Sequence, residues 1–152
     1  MDMCPGPQIP ANDLEQALAA MTFEVEPARF ALCGFESPPE TADLQLLGAG
    51  PGQLVREGGE TSLLLEQNRV AELLQRHPAA RVERGLVWIR FQAPMGWEVV
   101  GFLARVTSAL AAAGIPLGAV CGYSRDHLFI HEKHLETSLT VLDELFPRTA
   151  SA

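Results

Sequence analysis

The sequence predicts an α+β fold in which helices pack on one face of an antiparallel sheet. Three observations carry that prediction. Residues 86–146 alternate strand-like and helix-like stretches in the order β-α-β-β-α. The stretches "LVWIRFQ" and "IPLGAVCGY" are rich in the β-branched and aromatic residues that suit strands. Glycine and proline punctuate the joins, as at Gly114 and Pro116, which stop the helix between those two strands.

Taken in order, residues 1–10 carry three prolines and a glycine and read as a loose lead-in. A short helix follows, capped by Asn12 with Glu15 at the capping-box position, and Leu14, Leu18 and Met21 repeat at helical spacing. "FEVEPARFALCGF" is extended but interrupted by Pro27, so the firm strand is 29–35. "ESPPETAD" reads as a loop. "GQLVREGGETSLLLEQ" reads as a hairpin with Gly58 and Gly59 at the turn, where positive φ costs glycine little. Val70, Leu73 and Leu74 mark a short helix ending before Pro78, and "PAARVERG" reads as a charged connection between two halves.

In the second half, "LVWIRFQ" is a strand, "APMG" a turn, and 97–113 a helix whose apolar stripe is Val99, Phe102, Leu103, Val106, Leu110 and Ala113. "IPLGAVCGY" and "HLFIH" form a hairpin across "SRD", and a last helix over 133–146 presents Leu135, Leu139, Leu142 and Phe146. This is the core of a split βαβ, or ferredoxin-like, layout that lacks its closing strand. A strand of the first half such as 29–35 is the candidate to complete the sheet. The expected organisation is 1–22 lead-in and helix, 23–80 first half, 81–147 second half and 148–152 tail.

Composition narrows the function. The 152 residues are 47% hydrophobic and 20% charged, which is ordinary for a globular protein. A net charge of −8 argues against nucleic acid and against an anionic membrane surface, since both need clustered Lys and Arg. No apolar run approaches the ~20 residues of a membrane span, and the start lacks a signal-peptide layout. Three scattered cysteines suggest free thiols in a reducing compartment, hence a cytoplasmic protein.

Three of the four histidines, His127, His131 and His134, fall within "CGYSRDHLFIHEKH" beside Cys121, Asp126 and Glu132. On a strand, His127 and His131 share a face but lie roughly 13 Å apart at ~3.3 Å per residue, too far to ligate one zinc. Only His131 and His134 approach, with Glu132, so polar residues at a strand end and a helix start are the plainer reading, and no metal is expected. "GAGPG" lacks the following helix that a dinucleotide fingerprint needs. Cys121 can face His127 across the turn, yet a cysteine in an apolar strand is usually a small buried hydrophobe. With no Gly-X-Ser-X-Gly and no spaced carboxylate pair, neither catalysis nor a cofactor is expected.

The stretch 87–145, from "VWIRFQAPMGWEVVGFLARV" through "AAAGIPL" and "GYSRDHLFI" to the last helix, resembles the ACT-domain superfamily of amino-acid-sensing regulatory modules. "RFALCGF" and "GQLVREGGETSLLLEQ" look like a first ACT-like half of the small tandem ACT proteins, which are related to aspartate kinase regulatory regions and CASTOR-type arginine sensors. His131 departs from that pattern, which often has proline there. The resemblance implies βαββαβ halves, a homodimer built on exposed sheet edges, and a regulated enzyme or signalling protein on a separate chain.

It also implies an amino-acid effector beside the strand-to-helix loop, with Met95, Gly96, Trp97 and Glu98 on one side of the pocket. The loop enters the helix expected from 97, so the amides of Gly96, Trp97 and Glu98 would point outward with the positive end of the helix dipole behind them, which suits a carboxylate. Asp126 would take the ammonium, Ser124 a hydrogen bond, and Arg125 an acidic group. Each has a plainer role as well: Asp126 and Gly96 as turn residues, Trp97 as a packed aromatic. A protein-interaction module with an empty ancestral pocket is the alternative, and a metal- or thiol-dependent hydrolase a more distant one.

Overall fold

The computed structural model describes residues 13–146. The proline-rich lead-in, the Asn12 cap and the tail after 147 lie outside them. Two compact units emerge among the described residues: Glu26–Trp88, and residues 13–25 together with 89–146.

In the unit Glu26–Trp88 the elements are β2 (Phe30–Phe35), α2 (Thr41–Gln45), β3 (Gln53–Arg56), β4 (Thr61–Glu66), α3 (Val70–Arg76) and the start of β5 (Arg81–Phe91). The strand order is β3-β4-β2-β5, antiparallel throughout. This is a full βαββαβ unit whose last strand lies beside its first. Strand periodicity explains the core. Ala31, Cys33 and Phe35 project to one face, Leu63 and Leu65 join them from β4, and Leu46, Val70 and Leu73 close over them from the helical segments.

Four expectations for this unit are corrected. The "ETAD" stretch belongs partly to a helix: the Glu40 side chain accepts from the N3 backbone amide, while Asp43 Oδ2 accepts from Glu40 N at 2.8 Å, so a capping box starts α2. The hairpin turn does sit at Gly58 and Gly59, held by reciprocal Glu57–Glu60 backbone bonds, but neither glycine has positive φ. "RVERG" is no connection, because β5 begins at Arg81 and pairs with β2 through Arg81, Val82, Glu83 and Leu86. Its exposed Arg81, Glu83 and Arg84 gave it the polar look of a linker. The stretch 29–35 does not close the second half, since it pairs here with the first part of β5.

The other unit contains α1 (Leu14–Ala20), β1 (Phe23–Val25), the Ile89–Phe91 end of β5, α4 (Phe102–Ala112), β6 (Leu117–Cys121), β7 (Asp126–His131) and α5 (Leu135–Leu145). Its strand order is β1-β5-β7-β6. The closing position is filled by β1, antiparallel to β5 with Phe23 opposite Phe91, Glu24 opposite Arg90 and Val25 opposite Ile89. Pro27 explains the division of labour: it cannot donate to a ladder, so the extended stretch splits into β1 and β2, each pairing with a different length of β5. Asp13 caps α1, its Oδ1 accepting from Gln16 N at 2.9 Å.

Apolar packing centres on Phe91, Phe102 and Phe146. Phe91 meets Phe102 edge-on at 5.1 Å and Phe146 at 5.7 Å between ring centroids. Val106, Leu110, Leu128, Ile130 and Leu142 are buried in the same unit. Among the described residues no helix is long and apolar enough to cross a membrane.

Candidate functional site

The sequence placed a helix start at Trp97. It begins at Phe102 instead, with Gly101 as N-cap at φ +97°. A residue in that left-handed conformation cannot continue a right-handed helix, and the β-branched pair Val99-Val100 favours it little. Val99 is in phase with the apolar stripe by coincidence. The amides of Gly96, Trp97 and Glu98 therefore precede the helix by several residues, and its unbonded first-turn amides belong to Phe102, Leu103 and Ala104. Arg105 N donates to Gly101 O at 2.9 Å, which closes the first turn. Gly101→Ala puts an L side chain into that left-handed conformation. It is expected to cost about 1–2 kcal/mol, read by urea unfolding; a neutral result would show that the φ at 101 is dispensable.

The ten residues 92–101 between β5 and α4 form a loop tied down at several points. Gln92 N donates to Thr22 O at 2.9 Å, and Arg125 Nε donates to Gln92 O at 2.7 Å. Met95 N donates to Ser124 O at 3.0 Å, joining the loop to the β6–β7 turn. That turn is closed by Gly122 N donating to Arg125 O at 2.9 Å. Between loop, turn and α4 lies a cleft of about 320 Å³.

Of the residues expected at a site, Met95, Gly96, Trp97, Ser124 and Asp126 line this cleft, as does Arg125; Glu98 does not. Sequence reading missed Gly101, Phe102, Leu103 and Ala104, which the displaced helix start brings in. It also missed Cys121, Gly122 and Tyr123 as lining residues, although they sit in the quoted stretch. Trp97 is no packed aromatic. It is 95% exposed, Tyr123 is 104% exposed, and both stand at the cleft's lip with Val100, 82% exposed, nearby in the loop.

Electrostatics distinguish the polar groups. Desolvation, then the hydrogen bond and charge of Asp126, push the Cys121 thiol above its ordinary value, so it stays protonated rather than becoming a nucleophilic thiolate. Its cross-strand partner is Asp126, while His127 lies opposite Val120, so Cys121 and His127 are not paired directly across the turn. Burial and the charges of Arg90 and Arg125 outweigh Asp126 and lower the His127 pKa, which keeps the ring neutral. His131 Nδ1 accepts from Lys133 N at 3.4 Å and caps the 3₁₀ turn Glu132–His134. Among the described residues, no three of His, Cys, Asp and Glu gather as a metal site. "GAGPG" lies between α2 and β3, without the helix that would aim amides at a phosphate.

Residues 81–144 match the family model of the ACT domain. This segment is an ACT domain. It takes in β5, α4, β6, β7 and nearly all of α5, and the cleft lies within it. No curated protein matches the chain. Among solved structures, the ACT-containing chain is similar to a protein of Agrobacterium tumefaciens, with 21% identity and a TM-score of 0.70 over 82% of this chain and 88% of that one. It is similar to a Vibrio cholerae protein described as of unknown function and a possible transport protein, with 25% identity and a TM-score of 0.62 over 84% and 91% of the two chains. The ligand-free regulatory subunit of aspartate kinase from Thermus thermophilus shares 11% identity and a TM-score of 0.64 over 84% of this chain and 99% of that one. The chain thus shares its fold with aspartate kinase regulatory structures.

Proposed function

We infer that this is a cytoplasmic sensor whose ACT-domain cleft binds a small amino acid without catalysing a reaction on it. Occupancy is passed to a homodimer partner or to a regulated enzyme on a separate chain. One observation carries the reading: the cleft sets the Asp126 carboxylate within the same lining as the first turn of an eleven-residue helix. An α-amino acid has the complementary pair of charges. Its carboxylate suits the amides of Phe102, Leu103 and Ala104 with the helix dipole behind them, and its ammonium suits Asp126. Ser124 supplies a hydroxyl and Arg125 the guanidinium nitrogens not engaged by Gln92 O. The free thiols of Cys33 and Cys121 fit a reducing compartment. Regulation follows if the ligand contacts one conformation better than another, since only differential affinity shifts an equilibrium.

Thermal unfolding against the twenty amino acids tests this. A ligand at ~100 times its Kd adds about 2.7 kcal/mol, a rise on the order of 5–10 °C for a chain of this size. Asp126→Ala is expected to remove the rise without lowering the ligand-free Tm. No rise with any amino acid overturns the reading. A second reading, a protein-interaction module, is favoured by the solvent-facing Trp97, Val100 and Tyr123 and would then stand.

A further inference from the structure

A second constellation lies in the compact unit Glu26–Trp88. Ser37 follows β2 and precedes α2. His77 follows α3, and its ring is stacked on Phe35 at 3.8 Å between centroids and 12° between planes. His77 Nε2 lies 2.9 Å from Oδ1 of Asp43, which is fully buried. Ser37 Oγ lies 3.5 Å from His77 Nδ1 on the ring's other side. The Ser37 backbone is fixed in turn, because buried Thr61 donates its hydroxyl to Ser37 O at 2.8 Å. Ser37, His77, Arg76 and Arg81 line a cleft of about 430 Å³ that opens to solvent.

We propose that Ser37, His77 and Asp43 form a nucleophilic-serine site that reacts with activated acyl esters. An aspartate that accepts from one ring nitrogen fixes the tautomer in which the other is a base, and a serine beside that base is the arrangement acyl transfer requires. Serine–base contacts at this length are common before substrate binds and tighten in the complex. Asp43 stays ionised at any working pH. Burial alone would raise its carboxyl, but hydrogen bonds from Arg76, the Glu40 amide and His77 outweigh it and bring it to about 2.

The chemistry balances as follows. Ser37 Oγ bonds to the ester carbonyl carbon while its proton passes to His77 Nδ1. The bond to the aryloxide then breaks, and the leaving oxygen takes that proton. Water next adds to the acyl carbon, giving a proton to Nδ1, and the acid leaves as the proton returns to Ser37. The residue after the nucleophile is Pro38, which has no N–H to stabilise the developing oxyanion. Turnover is therefore slow, and the substrates are aryl esters of short acids, whose leaving groups need little help. This site goes beyond the sensor reading and does not depend on it.

The test is labelling of the full chain with a small fluorophosphonate, with adducts mapped by peptide mass spectrometry. Ser37 is expected to react on the order of 100-fold faster than the exposed Ser108 and Ser124 in the same molecules, a comparison that needs no variant. His77→Gln is expected to cut the Ser37 rate roughly 100-fold, at the low end for removal of a general base. Hydrolysis of p-nitrophenyl acetate should be lost in Ser37→Ala, where the substituted residue is exposed and folding is unaffected. Labelling of Ser37 no faster than of Ser108, or hydrolysis unchanged in Ser37→Ala, overturns the proposal.

Discussion

Phe91→Ala is expected to destabilise the protein by about 3–5 kcal/mol, the usual cost of truncating a buried phenylalanine. Phe91 is wholly buried, ends β5, pairs with Phe23 of β1 and sits edge-on to both Phe102 and Phe146. Alanine there leaves a cavity that two large rings cannot collapse into without leaving their rotamers. The midpoint of thermal unfolding should fall by roughly 6–20 °C, at about 2–4 °C per kcal/mol. The substitution also reaches the candidate site. Phe91 and Phe102 are the two anchors of the loop 92–101, one at the strand end and one at the helix start, and their rings touch. Releasing that clamp frees the loop that carries Met95, Gly96 and Trp97. Any amino acid bound by the wild type should therefore bind Phe91→Ala more weakly than Phe30→Ala, a comparable truncation in the other unit. Equal binding in the two variants would show that the clamp does not organise the cleft. A loss below 1 kcal/mol would sink the claim that these rings form the core of this unit.

The elements legible in the sequence are those whose burial leaves a period. The strand Phe30–Phe35 alternates Ala31, Cys33 and Phe35 against a more open face, and α4 buries Phe102, Val106 and Leu110 at helical spacing. What escaped was set by backbone geometry or by pairing, which leave no hydrophobic pattern. The left-handed conformation of Gly101 moved the helix start five residues from where Val99 placed it. α2 has five residues and owes its existence to a Glu40–Asp43 capping box rather than to an apolar face. The first part of β5 presents charged side chains, yet its backbone pairs with β2, and pairing is blind to side-chain polarity. That β1 rather than β2 closes the second half depends on contacts between residues 23–25 and 89–91, which no local window can show. The cleft was partly legible for a different reason: hairpin turns and strand-to-helix loops are marked by Gly, Pro, Ser and Asp. Glu98 fell out, and Leu103 and Ala104 came in, because all three follow from where the helix begins.

Asp43→Ala is expected to cost about 3 kcal/mol, at the lower end of what breaking a buried ion pair costs. The carboxylate is fully buried and accepts from Glu40 N at 2.8 Å, Arg76 Nε at 2.9 Å and His77 Nε2 at 2.9 Å. Its removal leaves an amide, a guanidinium and an imidazole without their acceptor. The figure is held to the lower end because the Arg76 side chain is 30% exposed and can recover hydration, and its bond to Glu40 survives. The same carboxylate governs acid sensitivity. Its pKa is lowered from 3.8 to about 2 by contacts made only in the folded state. A group depressed in this way stabilises the fold fully above its unfolded value, and the contribution is lost as pH falls through the folded value. The window is therefore pH 4 down to pH 2. Urea unfolding of the wild type across that interval should show a steeper loss than Asp43→Asn, which has no charge to lose there. Parallel curves would mean that the carboxylate is equally hydrated in the folded and unfolded chains. That result would leave Asp43 ionised near neutral pH but without the folded-state contacts that hold His77 beside Ser37, tying the stability of this unit to the chemistry proposed at its surface.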